Sequence, residues 1–243
     1  MEVHFDKRAV KCMFNIFLVM NLTSYFVCAF TPPVQIPKKT DVSNKQYFCV
    51  QCNNWKPDRA HHCSICKICV AKMDHHCPWL GNCIGTHNLK SFYLFCFYQT
   101  LMGLTYFWRV YVFMLSDDVK VLRMKFNWYE NFAYYFTNIF CLLIILALIF
   151  HCVNLFRLIY ANLTQLERMM GFQMRAMCLE TNRKRKLTNK YDMLGPFNLR
   201  EVFGDAFWKW PLPIRDTQPG RGLYYPKIPD VSPILKEQTK NPD

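Results

Sequence analysis

Three apolar stretches divide the chain into alternating hydrophobic and polar segments. Residues 12–30 contain no charge, residues 92–115 are rich in Phe, Tyr and Leu, and residues 132–160 include an unbroken apolar run from 140 to 150. A helix needs about 20 predominantly apolar residues to cross a bilayer. The pattern therefore predicts three transmembrane helices, although Gln99 and Arg109 interrupt the second stretch.

The polar segments complete the predicted organisation. A short N-terminal segment (1–11) precedes the first span, a linker with a cysteine-rich region (31–91) follows it, and a lumenal loop (116–131) separates the second and third spans. A C-terminal tail covers residues 161–243, and its seven prolines after position 210 predict an extended or disordered end. The sequence shows no evident internal repeat.

Composition agrees with a membrane protein, and the charge distribution predicts its orientation. Hydrophobic residues make up 52% of the chain, and the formal net charge is +13. The cysteine-rich region, with its linker, and the chain from Arg157 onward hold 23 of the 30 Lys and Arg residues, and basic loops stay cytoplasmic. We therefore expect both segments in the cytosol. We expect no nucleic-acid binding, because the region lacks the Cys-pair and His-pair layout of a DNA-binding finger.

The first apolar stretch also has features of a signal peptide. Lys7, Arg8 and Lys11 precede it, and Val27 and Ala29 satisfy the small-residue rule for cleavage. Cleavage would deliver the basic region and its seven thiols to an oxidising lumen, where disulfides compete with zinc. The charge distribution therefore favours a retained transmembrane helix.

Residues 49–83 concentrate seven cysteines and four histidines in 35 positions. Structural zinc takes four Cys or His ligands in a tetrahedron, commonly through Cys-x2-Cys pairs, so two sites need eight ligands. Six of the cysteines, with His62 and His76, supply that number and leave Cys77 beside Asp74 and His75. A thiol with a histidine and a carboxylate at hand has the composition of an activated nucleophile. A zinc module with one spare cysteine is the alternative interpretation.

Adjacent ligands predict how the two sites are arranged. If the backbone is extended, His62 and Cys63 point to opposite faces, which favours binding to different metals and interleaved sites. The same reasoning applies to His75 and His76. One of this pair would face zinc, and the other would face the side available to Cys77.

Residues 49–92 carry further spaced positions around these ligands. They include Lys56-Pro57-x-Arg59, Cys77-Pro78-Trp79 and Asn82-Cys83-Ile84-Gly85-x2-Asn88-x3-Phe92. The whole pattern resembles the cysteine-rich domain of the DHHC protein S-acyltransferases, which are integral-membrane enzymes that palmitoylate cysteines. The resemblance implies two structural zinc ions, one on Cys49, Cys52, His62 and Cys69, and the other on Cys63, Cys66, His76 and Cys83.

The resemblance also implies a function and a fold. Cys77 is expected to accept the acyl group, with His75 as its base and Asp74 orienting His75. The chain would then be a protein S-acyltransferase that transfers palmitate or a similar long acyl chain from acyl-CoA to protein cysteines. The implied fold is an all-α integral membrane protein, a bundle of three transmembrane helices with a cytosolic two-zinc domain between the first and second spans. A zinc-stabilised membrane scaffold or inactive family member, which binds partners without acyl transfer, is the alternative hypothesis.

The expected partners are acyl-CoA, protein substrates with membrane-proximal cytosolic cysteines, and the lipid bilayer. The expected location is the ER, Golgi or plasma membrane, with the active site facing the cytosol. Lys56, Arg59 and His61 suit the phosphate groups of acyl-CoA, and the basic run at 183–186 suits anionic headgroups. Trp79 is expected to pack near the thioester or to anchor the membrane interface.

The chain departs from the family pattern outside the cysteine-rich region. The family generally has two spans before this region, and here one is found, so the first helix is either absent or lost by truncation. Thr164-Gln165-Leu166-Glu167 is similar to the Thr-Thr-x-Glu motif after the last span, with Gln165 replacing the second threonine. Asn198 and Val202-Phe203-Gly204 resemble the C-terminal motif of an asparagine followed by a buried aromatic, for which a structural role is expected.

Overall fold

Three long helices form the scaffold of the protein. The structure, a computed structural model, describes residues 7–36, 47–114, 126–171 and 189–214. The long helices are α1 (Lys7–Phe30), α2 (Leu89–Met114) and α3 (Trp128–Tyr160), and they are followed by the short α4 (Gly195–Phe203). All three predicted spans are thus helical. Each helix begins three to five residues before its predicted span, because polar residues extend a helix beyond the apolar part that hydropathy marks.

Two of these helices have the length and composition of a membrane span. Within the described ranges they are Arg8–Phe30 of α1 and all of α3. Large apolar side chains on α3 face outward, and those of Phe136, Leu143 and Phe150 are between 59% and 72% exposed. A soluble protein rarely exposes a continuous apolar surface of this extent. The helices therefore fit a membrane-embedded protein, whereas the same criterion does not select α2.

The helix α2 packs between the other two and runs antiparallel to both. Against α1, the Asn21 side chain donates a hydrogen bond of 2.9 Å to the Phe95 carbonyl. Against α3, Gly103 lies so close to Ile145 that an added Cβ would come within 2.6 Å of its Cγ1. Small residues allow helix backbones to approach closely in membrane proteins. Position 103 therefore admits no larger side chain unless the Ile145 side chain or α3 moves.

The cysteine-rich region consists of three two-stranded antiparallel hairpins. They pair β1 (Tyr47–Cys49) with β2 (Asn54–Lys56), β3 (His61–Cys63) with β4 (Ile68–Val70), and β5 (His75–Cys77) with β6 (Asn82–Ile84). Their first strands start fourteen residues apart, and each turn has one residue with positive φ, namely Asn53, Lys67 and Gly81. The prediction of no internal repeat was therefore wrong. Cys49, Cys63 and Cys77 recur with this period, as do His62 and His76, but the first hairpin shares few other residues with the next two, so the repeat became evident from the hairpin geometry.

These hairpins also qualify the predicted all-α fold, which agrees with the helices that the structure describes outside the cysteine-rich region. Three-residue strands with a tight turn have too few backbone hydrogen bonds to be stable alone. They form here because paired cysteines and histidines gather at their turns and across their strands.

Two asparagines fix the third hairpin against the helices. The Asn82 side chain donates to the carbonyls of Cys28, Ala29 and Thr31, which leaves fewer of the last carbonyls of α1 without a partner. The Asn88 side chain donates to the Thr31 and Cys83 carbonyls and accepts from the Gly85 amide. The apolar side of this hairpin is consequently buried in the largest core cluster, between α1, α2 and α3.

Several predicted segments lie outside the described residues. They are positions 1–6 of the N-terminal segment, positions 116–125 of the loop, the basic run at 183–186 and the tail from 215 onward.

Candidate active site and metal centres

The first cluster of potential metal ligands joins the first two hairpins. The turn of the first hairpin supplies Cys49 and Cys52, and the second hairpin supplies His62 and Cys69, which face each other across its strands. Their ligand atoms all lie within 4.8 Å of one another, and the sulfurs of Cys52 and Cys69 are 3.6 Å apart. A tetrahedral zinc with Zn–S bonds of about 2.3 Å separates two sulfurs by about 3.8 Å. The donor set and its spacing therefore fit zinc.

The second cluster repeats this arrangement one hairpin further along. The turn of the second hairpin supplies Cys63 and Cys66, and the third hairpin supplies the facing pair His76 and Cys83. The Cys66 sulfur is 3.4 Å from both the Cys83 sulfur and His76 Nδ1. The structure thus brings together the two ligand sets implied by the family resemblance. As expected from their adjacency, His62 and Cys63 belong to different clusters.

Cys77 occupies the position in the third hairpin that Cys49 and Cys63 occupy in the first two. The second ligand position, taken by Cys52 and Cys66 in the earlier turns, is here Leu80. Cys77 is therefore not part of either cluster and is buried, with 4% of its surface exposed. The hairpin geometry that presents a ligand elsewhere presents a free thiol at this place.

His75 and Asp74 form a hydrogen-bonded pair directly before this thiol. The Nδ1 atom of His75 is 2.7 Å from Oδ2 of Asp74, and Asp74 is buried, with 3% of its surface exposed. A carboxylate at this distance holds the proton on Nδ1 and leaves the Nε2 lone pair available. The His75 ring packs edge-on against Phe92, with 5.1 Å between ring centroids. The pair thus has the composition of a general base, and His75 lies two residues before Cys77 in the same strand, where alternate side chains share a face.

The other oxygen of Asp74 accepts a hydrogen bond from a residue that follows α3, 91 positions along the chain. The backbone amide of Gln165 donates a 2.8 Å hydrogen bond to Oδ1 of Asp74. Thr164 and Glu167 form a capping box around this amide, because each side chain accepts from the other residue's backbone N–H. The contact to Asp74 uses the main chain, so a glutamine at position 165 preserves it as well as a threonine would.

Arg59 belongs to a buried ion pair. Its guanidinium donates two hydrogen bonds, of 2.6 and 2.8 Å, to the carboxylate of Glu167 and another to the Asn162 side chain. Burial raises the pKa of the Glu167 carboxyl, but the hydrogen bonds and the positive charge of Arg59 outweigh this effect and hold that pKa below its usual range. The predicted role of Arg59 in binding acyl-CoA phosphates therefore does not fit its position. Sequence reasoning overlooked its partner, which lies 108 residues away.

A second buried ion pair ties the cysteine-rich region to α4. Lys72 donates to Glu201, and Glu201 also accepts from the Asn162 side chain. Burial lowers the pKa of Lys72 to about 8, against the opposing effect of Glu201. These residues were not predicted as functional. Since charged residues are almost never fully buried unless paired, their pairing could be recognised only after folding.

The remaining predicted residues differ in their exposure. Lys56 and His61 are half-buried on the hairpins, while Trp79 is 86% exposed. Burial, followed by the charge of Lys56, lowers the pKa of His61, so its imidazole is neutral at pH 7 and cannot attract phosphate by charge. Asn198 is 1% exposed and donates to the Tyr160 carbonyl, which fits the structural role expected for the C-terminal motif.

Comparison with known proteins gives a consistent result. The sequence model of a protein family described as DHHC palmitoyltransferase matches residues 42–171. Probable protein S-acyltransferase 12 of Arabidopsis thaliana is 29% identical over 255 residues, which cover 91% of this chain and 80% of that protein. Human palmitoyltransferase ZDHHC15 is 34% identical over 182 residues, covering 74% of this chain and 50% of that protein. The chain thus spans about half the length of the human relative.

Proposed function

Because this chain belongs to the DHHC palmitoyltransferase family, we propose that it is a membrane-embedded protein S-acyltransferase acting through an acyl-enzyme on Cys77. The acyl group, palmitate or a similar long chain, would pass from acyl-CoA to cysteine thiols of substrate proteins. One observation carries the proposal: Cys77 lies outside both metal clusters and follows a histidine whose Nδ1 is held by a buried carboxylate. A scaffold without transfer activity would have no need of that arrangement.

The first chemical step forms the acyl-enzyme. His75 accepts the proton of Cys77, and the imidazolium is stabilised by Asp74. The thiolate attacks the thioester carbonyl carbon of acyl-CoA, the bond from that carbon to the CoA sulfur breaks, and CoA leaves with the proton from His75. In the second step His75 deprotonates the substrate cysteine, whose sulfur attacks the acyl-enzyme. The bond to Cys77 then breaks, and Cys77 regains its proton.

The two metal clusters have a structural part in this proposal. Bound zinc would cross-link each hairpin to the next and supply folding free energy, which small metal-binding domains require. Through the pair His76 and Cys83, the second cluster would hold the hairpin that carries Cys77. Residues 74–77 thereby stay fixed relative to α2 and α3.

The arrangement of α1 and α2 supports the proposal that α2 also spans the membrane. Their ends near the cysteine-rich region are joined by the hydrogen bond from Asn88 to the Thr31 carbonyl. Twenty residues away along each helix, Lys11 and Arg109 line one cavity of about 270 Å³. Twenty helical residues rise about 30 Å, the thickness of the hydrocarbon core. The charge of Arg109, which interrupts the apolar run of α2, would therefore lie at the opposite membrane interface.

The charge distribution and the packing of Cys77 against α2 bear on the orientation and depth of the site in the membrane. The cysteine-rich region and the tail carry most of the basic residues, which supports a cytosolic position for both, at an endomembrane or the plasma membrane. Cys77 shares a buried cluster with Cys96, two turns into α2, so the thiol would lie about 10 Å along α2 from its first residue. At that depth a long acyl chain can remain in an apolar environment during transfer. Trp79 would sit at the interface and Lys56 near the CoA phosphates.

Labelling with a clickable palmitoyl-CoA tests the proposed activity. The detergent-purified full chain should become labelled in a hydroxylamine-sensitive manner, and the Cys77→Ser variant should not. Cys141→Ser is a matched control, because this partly buried thiol of α3 lies outside the core cluster that contains Cys77. Equal labelling of wild type and Cys77→Ser would refute the proposal.

A further inference from the structure

A single histidine interrupts the apolar surface of α3 close to the active site. His151 follows the apolar run from 140 to 150 and is only partly exposed. In the described part of the chain its imidazole makes no hydrogen bond, and no ion pair reaches it. A polar group without a partner in a hydrocarbon environment is costly, so ionisable residues within membrane helices usually serve a function. We therefore expect a bound ligand to supply the hydrogen-bond partner of His151.

The contacts of His151 connect it to the candidate active site. The phenyl ring of Phe92 contacts two imidazoles and meets both edge-on. Its centroid is 5.1 Å from that of His75 and 6.0 Å from that of His151. Cys152, the next residue of α3, lies in the same buried cluster as Phe92 and Cys77. His75 and His151 thus both contact Phe92, one from the third hairpin and one from α3.

We propose that His151 donates a hydrogen bond to the carbonyl oxygen of the acyl thioester, an inference that rests on the proposed acyl transfer. An imidazole carries an N–H donor in both its neutral and its protonated form. His75 is paired with Asp74 and accepts the thiol proton, whereas no carboxylate among the described residues forms an ion pair with His151. It also follows directly on the apolar run from 140 to 150 of α3.

The proposed role concerns the charge that develops during the attack. When the Cys77 thiolate adds to the carbonyl carbon, the pair of electrons of the C=O π bond moves to the oxygen. When the bond to the CoA sulfur breaks, that pair reforms the carbonyl. His151 keeps its proton throughout and stabilises the negative oxygen between these two events. A preorganised donor of this kind typically contributes about 10²–10³-fold to kcat.

Three variants test this role in the full-length protein. His151→Leu removes the donor and suits a membrane helix, while His151→Gln keeps an N–H donor. Phe150→Leu is the control, because Phe150 is adjacent but 72% exposed. We expect single-turnover acylation of Cys77 to slow by about 100-fold in His151→Leu, with KM for palmitoyl-CoA little changed. His151→Gln should recover a large part of the rate, and Phe150→Leu should match wild type.

The results separate the two proposals. If wild type becomes acylated and His151→Leu reacts at the same rate, the role of His151 is refuted while the proposed function stands. Equal slowing of His151→Leu and His151→Gln would also refute it, since the donor would then not be the relevant property. If wild type itself accepts no acyl group on Cys77, the proposed function and this inference fail together. Zinc content should remain at two ions per chain in every variant.

Discussion

Replacing Gln165 with proline should isolate the contact that positions Asp74. Gln165 is the first residue of the helical segment over 165–171, and its amide donates to Oδ1 of Asp74 at 2.8 Å. Proline is favoured at this first helical position, where its fixed φ suits the helix and its missing N–H breaks no intrahelical bond. The residue before it, Thr164, is a helix N-cap, and N-caps usually have the extended backbone that proline requires of its predecessor. The substitution therefore removes this one donor and keeps the capping box.

The expected effect can be estimated from the nature of this hydrogen bond. Hydrogen bonds to charged groups contribute about 1.5–3 kcal/mol, and the carboxylate concerned is 3% exposed. If this free energy is lost mainly in the transition state, where His75 becomes an imidazolium, each 1.36 kcal/mol slows the reaction tenfold. Autoacylation of Cys77 should therefore slow by about 10- to 100-fold. Gln165→Ala and Gln165→Thr keep the amide and should react like wild type.

The assay compares single-turnover acylation of the four proteins at equal zinc content. A slow proline variant beside fast alanine and threonine variants supports positioning through the backbone amide. If Gln165→Pro is as fast as Gln165→Ala while retaining two zinc ions, the contact to Asp74 has no catalytic importance. If Gln165→Ala is as slow as Gln165→Pro, the side chain and not the amide is responsible.

Three further predictions concern the metals and the buried charges. Elemental analysis should find two zinc ions per chain in wild type, Cys77→Ser and His75→Ala, whereas His76→Ala should lose metal. His75→Ala should also slow autoacylation by about 10²–10⁴-fold, because it lacks the general base. Loss of zinc in His75→Ala would reverse the assignment of the two histidines. Arg59→Met should lower the midpoint of thermal unfolding, because removing one partner of a buried ion pair costs about 3–5 kcal/mol; an unchanged midpoint with a raised KM for palmitoyl-CoA would instead show that Arg59 binds phosphate. The pKa of Lys72 is lowered to about 8 in the folded state from an ordinary value of 10.5, so between pH 8 and 10.5 the unfolded state binds one more proton than the folded state and the free energy of unfolding should rise with pH. The midpoint of thermal unfolding should therefore rise over this range in wild type. Persistence of the rise in Lys72→Met would exclude Lys72 as its cause.

Contacts between residues close in sequence could be read directly from the chain. Each potential metal site joins a Cys-x2-Cys turn to a facing pair in the next hairpin, so all its ligands lie within 21 consecutive residues and their spacing already limits which can meet. The unassigned Cys77 and its neighbours Asp74 and His75 emerged from the same local count. Hydropathy located the three long helices for a similar reason, since a helix forms within one continuous segment.

The tertiary structure decided what depends on residues far apart in the chain. Arg59 lies in sequence between the potential metal ligands Cys52 and His62, and the sequence predicted that it binds phosphate, yet its carboxylate partner is 108 residues away. The amide that holds Asp74 is 91 residues away and belongs to the position where the family motif is not matched. His151 gained its significance from Phe92, which packs against both histidines. Sequence spacing determines which ligands a short segment can gather, but long-range pairs depend on how helices and hairpins pack, and one-dimensional order does not encode that geometry in any local pattern.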